Sequence, residues 1–141
     1  MAFSLAQIAV AGGVLGLCPM PHAADVAALR DWQADLVLTL LEEMPPDLGA
    51  ALARAGIAQR HFPIVDYGVP TGDWAALSTD LRRILAVGGR VVIHCRAGCG
   101  RTGMIALRLM LEAGEADALA RLRAVRPCAI ETDAQMAWAL G

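Results

Sequence analysis

The sequence predicts an α/β fold: a central, largely parallel sheet of four to five strands with helices on both faces. Short aliphatic and β-branched runs alternate along the chain with longer segments of helical spacing. Strands separated by helices favour parallel pairing, because a parallel connection needs a crossover segment. The 141 residues contain no internal repeat, charge block or low-complexity linker, so a single domain over residues 1–141 is expected.

In the first half of the chain, loose alternation predicts a strand over residues 3–10. Gly12-Gly13 predicts a tight turn before a shorter strand over 14–17. The elements predicted next are a helix over 23–32, a buried strand over 35–41, a short helix over 47–55 and an extended segment over 61–65. Pro63 supports the last of these, because proline disfavours helix at its own position and at the residue before it.

In the second half, a helix over 74–87 is predicted to stop at Gly88-Gly89, since glycine commonly follows a helix C-terminus. The aliphatic run over 90–93 predicts a strand. Three helices are predicted after it, over 101–113, 116–125 and 132–140. Ligands bind beyond the carboxyl ends of strands in open α/β sheets. The loop after the strand over 90–93 is therefore expected to lie at the functional edge of the sheet, between the last strand and the following helix.

Composition and charge argue against several classes of protein. The formal net charge is −2 and the pI about 5.8, which leaves no basic footprint for nucleic acid. No run of about 18 apolar residues predicts a membrane span. Residues 1–18 are uncharged, but they lack the basic start of a secretory signal, and Leu17 stands where a small residue would precede cleavage. A cytoplasmic monomer is expected.

The segment His94-Cys95-Arg96-Ala97-Gly98-Cys99-Gly100-Arg101-Thr102-Gly103 carries the chemistry of this chain. A glycine-rich turn between a strand and a helix directs backbone N–H groups inward, and the helix adds the positive end of its dipole. An anion of phosphate size fits such a loop. The same field favours the thiolate of Cys95, while Arg101 offers a planar fork for two oxygens of a tetrahedral oxyanion.

This segment resembles the signature loop of the cysteine-dependent protein tyrosine phosphatases, H-C-x5-R-[ST], and is especially similar to the compact dual-specificity branch. Residues 62–66 also resemble the general-acid loop of the kinase-associated phosphatase type. Residues 126–135 are similar to a stretch R-P-G-A-I-E-T-x-x-Q of the same branch, with Cys128 in place of the usual glycine. The resemblance implies hydrolysis of a phosphorylated protein or a small phosphomonoester through a phosphocysteine intermediate, with no metal and no organic cofactor.

The residues of the segment predict individual roles. Cys95 is the expected nucleophile on phosphorus, and Arg101 the expected clamp on the phosphoryl oxygens. Thr102 is expected to donate its hydroxyl to the Cys95 sulfur, to cap the helix, or to do both. The phosphate cradle is expected to consist of the backbone N–H groups of Arg96, Ala97, Gly98, Cys99, Gly100 and Arg101. For His94, the resemblance implies a structural role, in which hydrogen bonds order the loop.

Departure of the leaving group needs a proton donor on a nearby loop. Asp66 follows an extended segment directly and lies among glycine and proline positions that permit loop motion, so it is the expected general acid. Asp73 is the alternative, although an acidic residue at a helix start also complements the dipole.

The similar stretch near the C-terminus leaves two roles open. Gln135 is expected either to place a water molecule or to face solvent on a helix. Arg126 is expected either to contact the substrate phosphate or to pair with Glu131.

The other three cysteines leave redox chemistry open. Cys99 lies four residues from Cys95 on a curled loop, which makes a disulfide between the two unfavourable. Cys128 and Cys18 are candidates for a resolving thiol that traps oxidised Cys95, and the alternative is that all three are inert packing residues. In a cytosolic chain, a cysteine in an anion-binding loop is more often catalytic than disulfide-bonded.

Two other functions share part of the pattern. A rhodanese-like sulfurtransferase also uses a cysteine in an anion-binding loop, but it needs no acid such as Asp66. A phosphate-binding pseudophosphatase normally lacks the cysteine, the arginine or the acid, and all three are present. Among phosphatases the substrate is open: Tyr67 and Trp74 are candidates to line a phenyl slot, with Trp74 equally expected in the core. Two basic residues inside the signature loop would indicate phosphoinositides, but here Arg96 occupies one of these positions and the neutral Cys99 the other.

Overall fold

The computed structural model describes residues 3–141, which form five strands and six helices. The strands are β1 (Ala6–Val10), β2 (Gly13–Cys18), β3 (Leu36–Thr39), β4 (Ala58–His61) and β5 (Arg90–His94). The helices are α1 (Val26–Asp31), α2 (Pro46–Arg54), α3 (Trp74–Ala86), α4 (Gly100–Glu112), α5 (Ala118–Val125) and α6 (Asp133–Leu140). None of these helices is both long and apolar enough to cross a membrane.

The strands form one sheet in the order β1-β2-β5-β3-β4. β1 pairs with β2 antiparallel, and the other three neighbouring pairs are parallel. In this register Cys18 and Thr39 both lie opposite His94, and His61 lies opposite Thr39. The four parallel strands therefore end level, and the loops that follow them meet at one edge of the sheet. This confirms the predicted α/β architecture.

Each face of the sheet carries its own apolar core. Alternate residues of the strands point to opposite faces, so Val91 and Ile93 of β5 join the larger core, whereas Val92 joins the smaller one. The larger core includes side chains of α3, α4, α5 and α6, and the smaller core those of α1 and α2. Burial of each aliphatic side chain stabilises the fold by roughly 1.5–3 kcal/mol.

Helix α4 is the most enclosed element next to the functional edge. Its residues from Gly100 to Met110 are buried, except Arg108. The N-terminal turn of α4 holds Arg101 and Thr102, so both side chains project from a helix that packed neighbours hold on every side. A fixed helix gives these two groups defined positions.

Two predicted boundaries differ from the structure for local reasons. The hairpin turn consists of Ala11 and Gly12, both with positive φ, rather than of two glycines. Gly13 instead begins β2, where an added Cβ would lie 2.4 Å from the Gly89 carbonyl oxygen. The segment 23–32, predicted as one helix, is a turn of 3-10 helix (Ala23–Asp25) followed by α1.

Strand β4 lies before the extended segment predicted over 61–65. Its residues Ala58–His61 are half-buried or exposed and mostly polar, because β4 is the edge strand of the sheet. Such a strand carries no apolar alternation. Hydropathy therefore does not detect it.

Candidate active site

Residues 95–99 form a loop between β5 and α4, and β2 supports this loop. The backbone N–H of Met20 donates to the carbonyl oxygen of Arg96 at 2.9 Å. Gly98 packs on the end of β2, where an added Cβ would lie 2.5 Å from the Cys18 carbonyl. Gly98 also has a φ of +74°, a conformation that strains other residues. Both the close approach and the backbone angle thus require glycine here.

The Cys95 sulfur is nearly enclosed, with the residue 3 % exposed. The hydroxyl of Thr102 donates to Sγ of Cys95 at 3.0 Å, as the sequence predicts. A hydroxyl donor at this distance stabilises negative charge on sulfur.

His94 is completely buried and is held by two hydrogen bonds. Its Nδ1 lies 3.1 Å from the Cys95 carbonyl oxygen, which can only accept, so Nδ1 carries the proton. Nε2 then accepts from the hydroxyl of Thr39 at 2.8 Å, and that hydroxyl accepts from the Gln59 amide at 3.1 Å. Thr39 and Gln59 were missed at the sequence level. The available signal was Thr39, a lone hydroxyl in an aliphatic run.

The pKa of His94 is lowered to about 4. Burial is the main cause; the hydrogen bond to the Cys95 carbonyl acts in the opposite direction, and the positive charge of Arg101 adds to the lowering. The ring is therefore neutral at pH 7. A neutral, doubly hydrogen-bonded ring fits the structural role that the resemblance implies.

Arg101 connects the signature loop to the loop over residues 62–73, here called the acid loop. The residue is 4 % exposed, and its Nη1 donates to the Ile64 carbonyl oxygen at 3.0 Å. Its Nη2 lies 3.3 Å from Oδ1 of Asp66. The Asp66 side chain is about half exposed. The Arg101 guanidinium thus binds both the backbone of the acid loop and its Asp66 carboxylate.

The two candidate acids occupy different environments. Asp66 lines a cavity of about 500 Å³ together with Arg96 and Arg101. Asp73 does not line this cavity, and its side chain accepts from the Ala76 N–H at 3.1 Å as the N-cap of α3. The geometry therefore favours Asp66 over Asp73 for contact with substrate.

Tyr67 and Trp74 also differ in position. Tyr67 is exposed on the acid loop, next to Asp66. Trp74 is buried between Phe62 and Trp138, with its indole N–H bonded to a carboxylate of α4. Trp74 is thus a core residue.

Residues 126–135, here called the terminal turn, pack against the signature loop. Arg126 donates from Nη2 to the carbonyl oxygen of Ala97 at 2.8 Å and from Nε to that of Gly98 at 2.9 Å. In a trans peptide the C=O and the following N–H point in opposite directions. Arg126 therefore aims the N–H groups of Gly98 and Cys99 away from itself, toward the inside of the loop. The expected pairing of Arg126 with Glu131 is wrong, because the Arg126 side chain is used on these carbonyls.

Glu131 engages one member of the expected cradle. Its Oε1 accepts from the backbone N–H of Gly100 at 2.9 Å. That N–H is therefore already hydrogen-bonded, in contrast to its predicted role toward phosphate. A Cβ at Gly100 would lie 2.3 Å from the same oxygen, so a larger residue here would displace the Glu131 side chain.

Gln135 is fully buried, so the expectation that it faces solvent is wrong. Its side-chain oxygen accepts from the backbone N–H groups of Glu131 and Thr132, at 2.9 and 3.3 Å. Its amide nitrogen donates to the Gly68 carbonyl oxygen at 3.4 Å. Gln135 thus joins the terminal turn to the acid loop.

A disulfide links Cys99 in the signature loop to Cys128 in the terminal turn, with a Cα–Cα distance of 5.1 Å. The proposed role of Cys128 as a resolving thiol is therefore corrected, because its sulfur is already bonded. The available signal was the unusual cysteine in each of two segments expected to pack together. Cys18 and Cys95 are free.

Burial raises the pKa of the Cys18 thiol to about 12. Arg126 acts in the opposite direction, while the neighbouring Cys95 and Asp25 add to the increase. Cys18 is therefore protonated at neutral pH. Within residues 3–141, no three His, Cys, Asp or Glu side chains are grouped to hold a metal ion.

Comparison with known proteins places this geometry in context. A family model described as "Polymorphic toxin system, DSP-PTPase phosphatase" matches residues 17–115. The crystal structure of Tk-PTP in the active form is 25 % identical and covers 94 % of this chain and 92 % of that chain, with a TM-score of 0.75. A mutant form of Tk-PTP is 28 % identical over 90 % and 86 % of the two chains, with a TM-score of 0.77.

Kinase associated phosphatase, in a crystal structure with its catalytic cysteine substituted by serine, shares the fold. It is 22 % identical, covers 99 % of this chain and 93 % of that chain, and superposes with a TM-score of 0.84. None of the curated proteins matches the chain.

Proposed function

The chain belongs to the DSP-PTPase phosphatase family of polymorphic toxin systems, and on this premise we propose that Cys95 is the nucleophile in phosphomonoester hydrolysis. Family membership makes the chain a cysteine-dependent protein tyrosine or dual-specificity phosphatase. One observation supports the residue assignment most strongly: Thr102 donates to the Cys95 sulfur at the base of a loop whose N–H groups Arg126 turns inward.

In the first step the Cys95 sulfur attacks phosphorus and forms the S–P bond, while the P–O bond to the leaving group breaks. The inward N–H groups of Gly98 and Cys99 and the Arg101 fork bind the phosphoryl oxygens. These donors stabilise the charge that spreads over the oxygens in the transition state. Asp66 gives its proton to the departing oxygen.

In the second step water attacks the phosphocysteine. The Asp66 carboxylate takes a proton from that water, and the S–P bond breaks to release inorganic phosphate. The Thr102 hydroxyl stabilises the departing thiolate of Cys95. We assign Gln135 to positioning of the terminal turn, because its amide oxygen and nitrogen are already used by backbone groups.

Arg101 and Asp66 exchange partners during this cycle. The free enzyme pairs the guanidinium with the Asp66 carboxylate. A phosphoryl dianion is a stronger partner for the same donors, since it offers more charge and a bidentate geometry. Substrate binding therefore releases the Asp66 carboxylate, which takes up a proton from water before it protonates the leaving group, while the bond from Arg101 to the Ile64 carbonyl holds the acid loop in place.

These contacts give less support to the two alternative functions, sulfur transfer and phosphate binding without catalysis. Sulfur transfer needs no acid, and here a carboxylate lies beside the phosphate clamp. A pseudophosphatase lacks one of the three central groups, and Cys95, Arg101 and Asp66 all lie at this site. We further propose a monomeric, cytoplasmic enzyme without metal or organic cofactor and without a nucleic-acid partner. The net charge of −2 supports the absence of a nucleic-acid partner.

The test is phosphate release from p-nitrophenyl phosphate, with acid quenching to trap the phosphoenzyme. We expect turnover and a phosphorylated peptide that contains Cys95. Cys95→Ser should abolish both but still bind vanadate, since the N–H cradle and Arg101 remain. Turnover near the wild-type rate in that variant would exclude the nucleophile assignment. Transfer of sulfur from thiosulfate to cyanide, without phosphate release, would instead support a sulfurtransferase.

A further inference from the structure

The cavity beside Arg101 is much larger than a phosphoryl group. It has a volume of about 500 Å³ and extends from the signature loop over the segment that follows β3. Arg96, Arg101 and Asp66 line it on the phosphate side. The remaining lining residues are Met20, Leu41, Glu42, Glu43, Met44, Pro45 and Pro46. This part of the cavity is available to substrate atoms beyond the phosphate.

A second cavity of about 380 Å³ adjoins the first. Both are lined by Pro45 and Pro46, so the two depressions meet at this proline pair. The second continues past His22 toward the N-terminus of α2. The two cavities that share this proline pair are here called the groove. A compact phosphate ester fills one end of such a groove, whereas an extended polypeptide follows its length.

Glu42 and Glu43 give one wall of the groove a negative charge. Glu42 and Glu43 are exposed, and neither makes an ion pair or a side-chain hydrogen bond with any residue in the described range 3–141. Their charges therefore act on whatever enters the cavity. They repel an additional phosphate or carboxylate and attract an ammonium or guanidinium group. Arg96 has the opposite sign, but it directly follows Cys95 and so lies at the phosphate end.

The acid loop supplies an apolar rim beside Asp66. Val65 and Tyr67 are 62 % and 61 % exposed, although both are large apolar side chains. They flank the general acid in sequence. Both lie next to the cavity-lining Asp66 but outside the residues that line the two cavities.

We propose that this groove binds an extended phosphopolypeptide and that Glu42 and Glu43 select a basic residue next to the phosphorylated one. The inference rests on the proposed phosphatase function and specifies its substrate class. It disfavours phosphoinositides with several phosphates, because their extra charge would face the two glutamates.

The experiment compares kcat/KM for three phosphotyrosine peptides that differ only in flanking residues: alanine, arginine or glutamate. Exposed ion pairs contribute modestly, so we expect the arginine peptide to exceed the alanine peptide about two- to fivefold. The glutamate peptide should fall below the alanine peptide. In Glu42→Gln/Glu43→Gln the three values should converge, and any change in kcat/KM for p-nitrophenyl phosphate is divided out as a factor common to all substrates.

A matched control is Asp31→Asn/Asp117→Asn, which also removes two negative charges. Asp31 ends α1 and Asp117 precedes α5; both are exposed, and neither lines a cavity of the groove. This variant should keep the wild-type preference, which separates a local effect from a change in net charge.

Equal kcat/KM for the three peptides, a preference for the glutamate peptide, or faster turnover of an inositol bisphosphate than of every peptide would overturn the inference. Each of these outcomes leaves the phosphatase assignment intact if p-nitrophenyl phosphate is hydrolysed. If no substrate is hydrolysed, the proposed function fails, and peptide affinities for Cys95→Ser still test the groove. In the Cys95→Ser variant the arginine peptide must bind more tightly than the glutamate peptide. Adding Glu42→Gln and Glu43→Gln to this variant must remove the difference in affinity.

Discussion

Arg101 binds Asp66 with one terminal nitrogen of its guanidinium and the Ile64 carbonyl oxygen with the other, at 3.3 and 3.0 Å. The proposed phosphate clamp and the proposed general acid are therefore in direct contact, although they lie 35 positions apart in sequence. Whatever binds Arg101 also sets the position of the acid loop. This coupling determines how variants at either residue should behave.

Arg101→Lys should be nearly as damaging as Arg101→Ala. A lysine ammonium is a point charge and cannot bind two phosphoryl oxygens and the Ile64 carbonyl in one plane. We expect kcat/KM for p-nitrophenyl phosphate to fall about 10²- to 10³-fold or more in both variants, the scale for loss of one transition-state donor. A lysine variant with most of the wild-type rate would show that charge alone suffices.

Asp66→Asn should lower kcat about 10²- to 10⁴-fold, because an amide cannot protonate the leaving group. It should also remove the alkaline limb of the pH–rate profile. Asp73→Asn is the matched control: asparagine caps a helix about as well as aspartate, so both rate and stability should stay near wild type. If instead the Asp73 variant loses the alkaline limb and the Asp66 variant keeps it, the two roles are reversed.

The burial of His94 should make stability depend on pH. The folded pKa is about 4 and the unfolded reference 6.5, so between these values the unfolded chain binds a proton that the folded chain does not. Stability conferred by the neutral ring is complete above pH 6.5 and is lost as the pH falls toward 4, by up to about 3 kcal/mol.

Urea unfolding of wild type and His94→Asn at several pH values between 4 and 7.5 measures this effect. Other titrating groups, such as Glu112, are common to both proteins and cancel in the difference. We expect the wild type to lose more unfolding free energy than the variant on acidification. Parallel curves for the two proteins would rule out His94 as the titrating group.

The sequence predicts the signature loop well because its chemistry is local. Cys95, Arg101 and Thr102 lie within eight residues, between a strand and a helix that their own hydropathy defines. The support of the loop is not local. The bonds of Thr39 to His94, Arg126 to Ala97 and Glu131 to Gly100 depend on sheet register and on where the terminal turn packs. No periodicity in one segment contains that information.

Two features, strand β4 and the burial of Gln135, were not predicted from the sequence for a similar reason. Strand β4 pairs through its backbone with β3, and its mostly polar side chains are half-buried or exposed, so its hydropathy carries no signal. Gln135 lies in a helix of mixed polarity, and it is buried by contacts with the terminal turn and the acid loop that its own segment does not reveal.

The disulfide between Cys99 and Cys128 should contribute to stability and remain separate from the nucleophile. It closes a loop of 29 residues, and a cross-link of that length stabilises a fold by about 3–4 kcal/mol in the chain-entropy model. Cys99→Ser/Cys128→Ser should lose about that much unfolding free energy under non-reducing conditions. Under dithiothreitol the difference from wild type should largely vanish.

Thiol mapping gives the matching chemical readout. The untreated protein in denaturant should expose two free thiols, Cys18 and Cys95, and dithiothreitol should raise the number to four. After peroxide we expect no bond between Cys95 and Cys128, since the Cys128 sulfur is already paired. Cys18 should react slowly with oxidised Cys95, because burial keeps its thiol protonated. A Cys95–Cys128 peptide as the main peroxide product, or four free thiols before reduction, would contradict this arrangement.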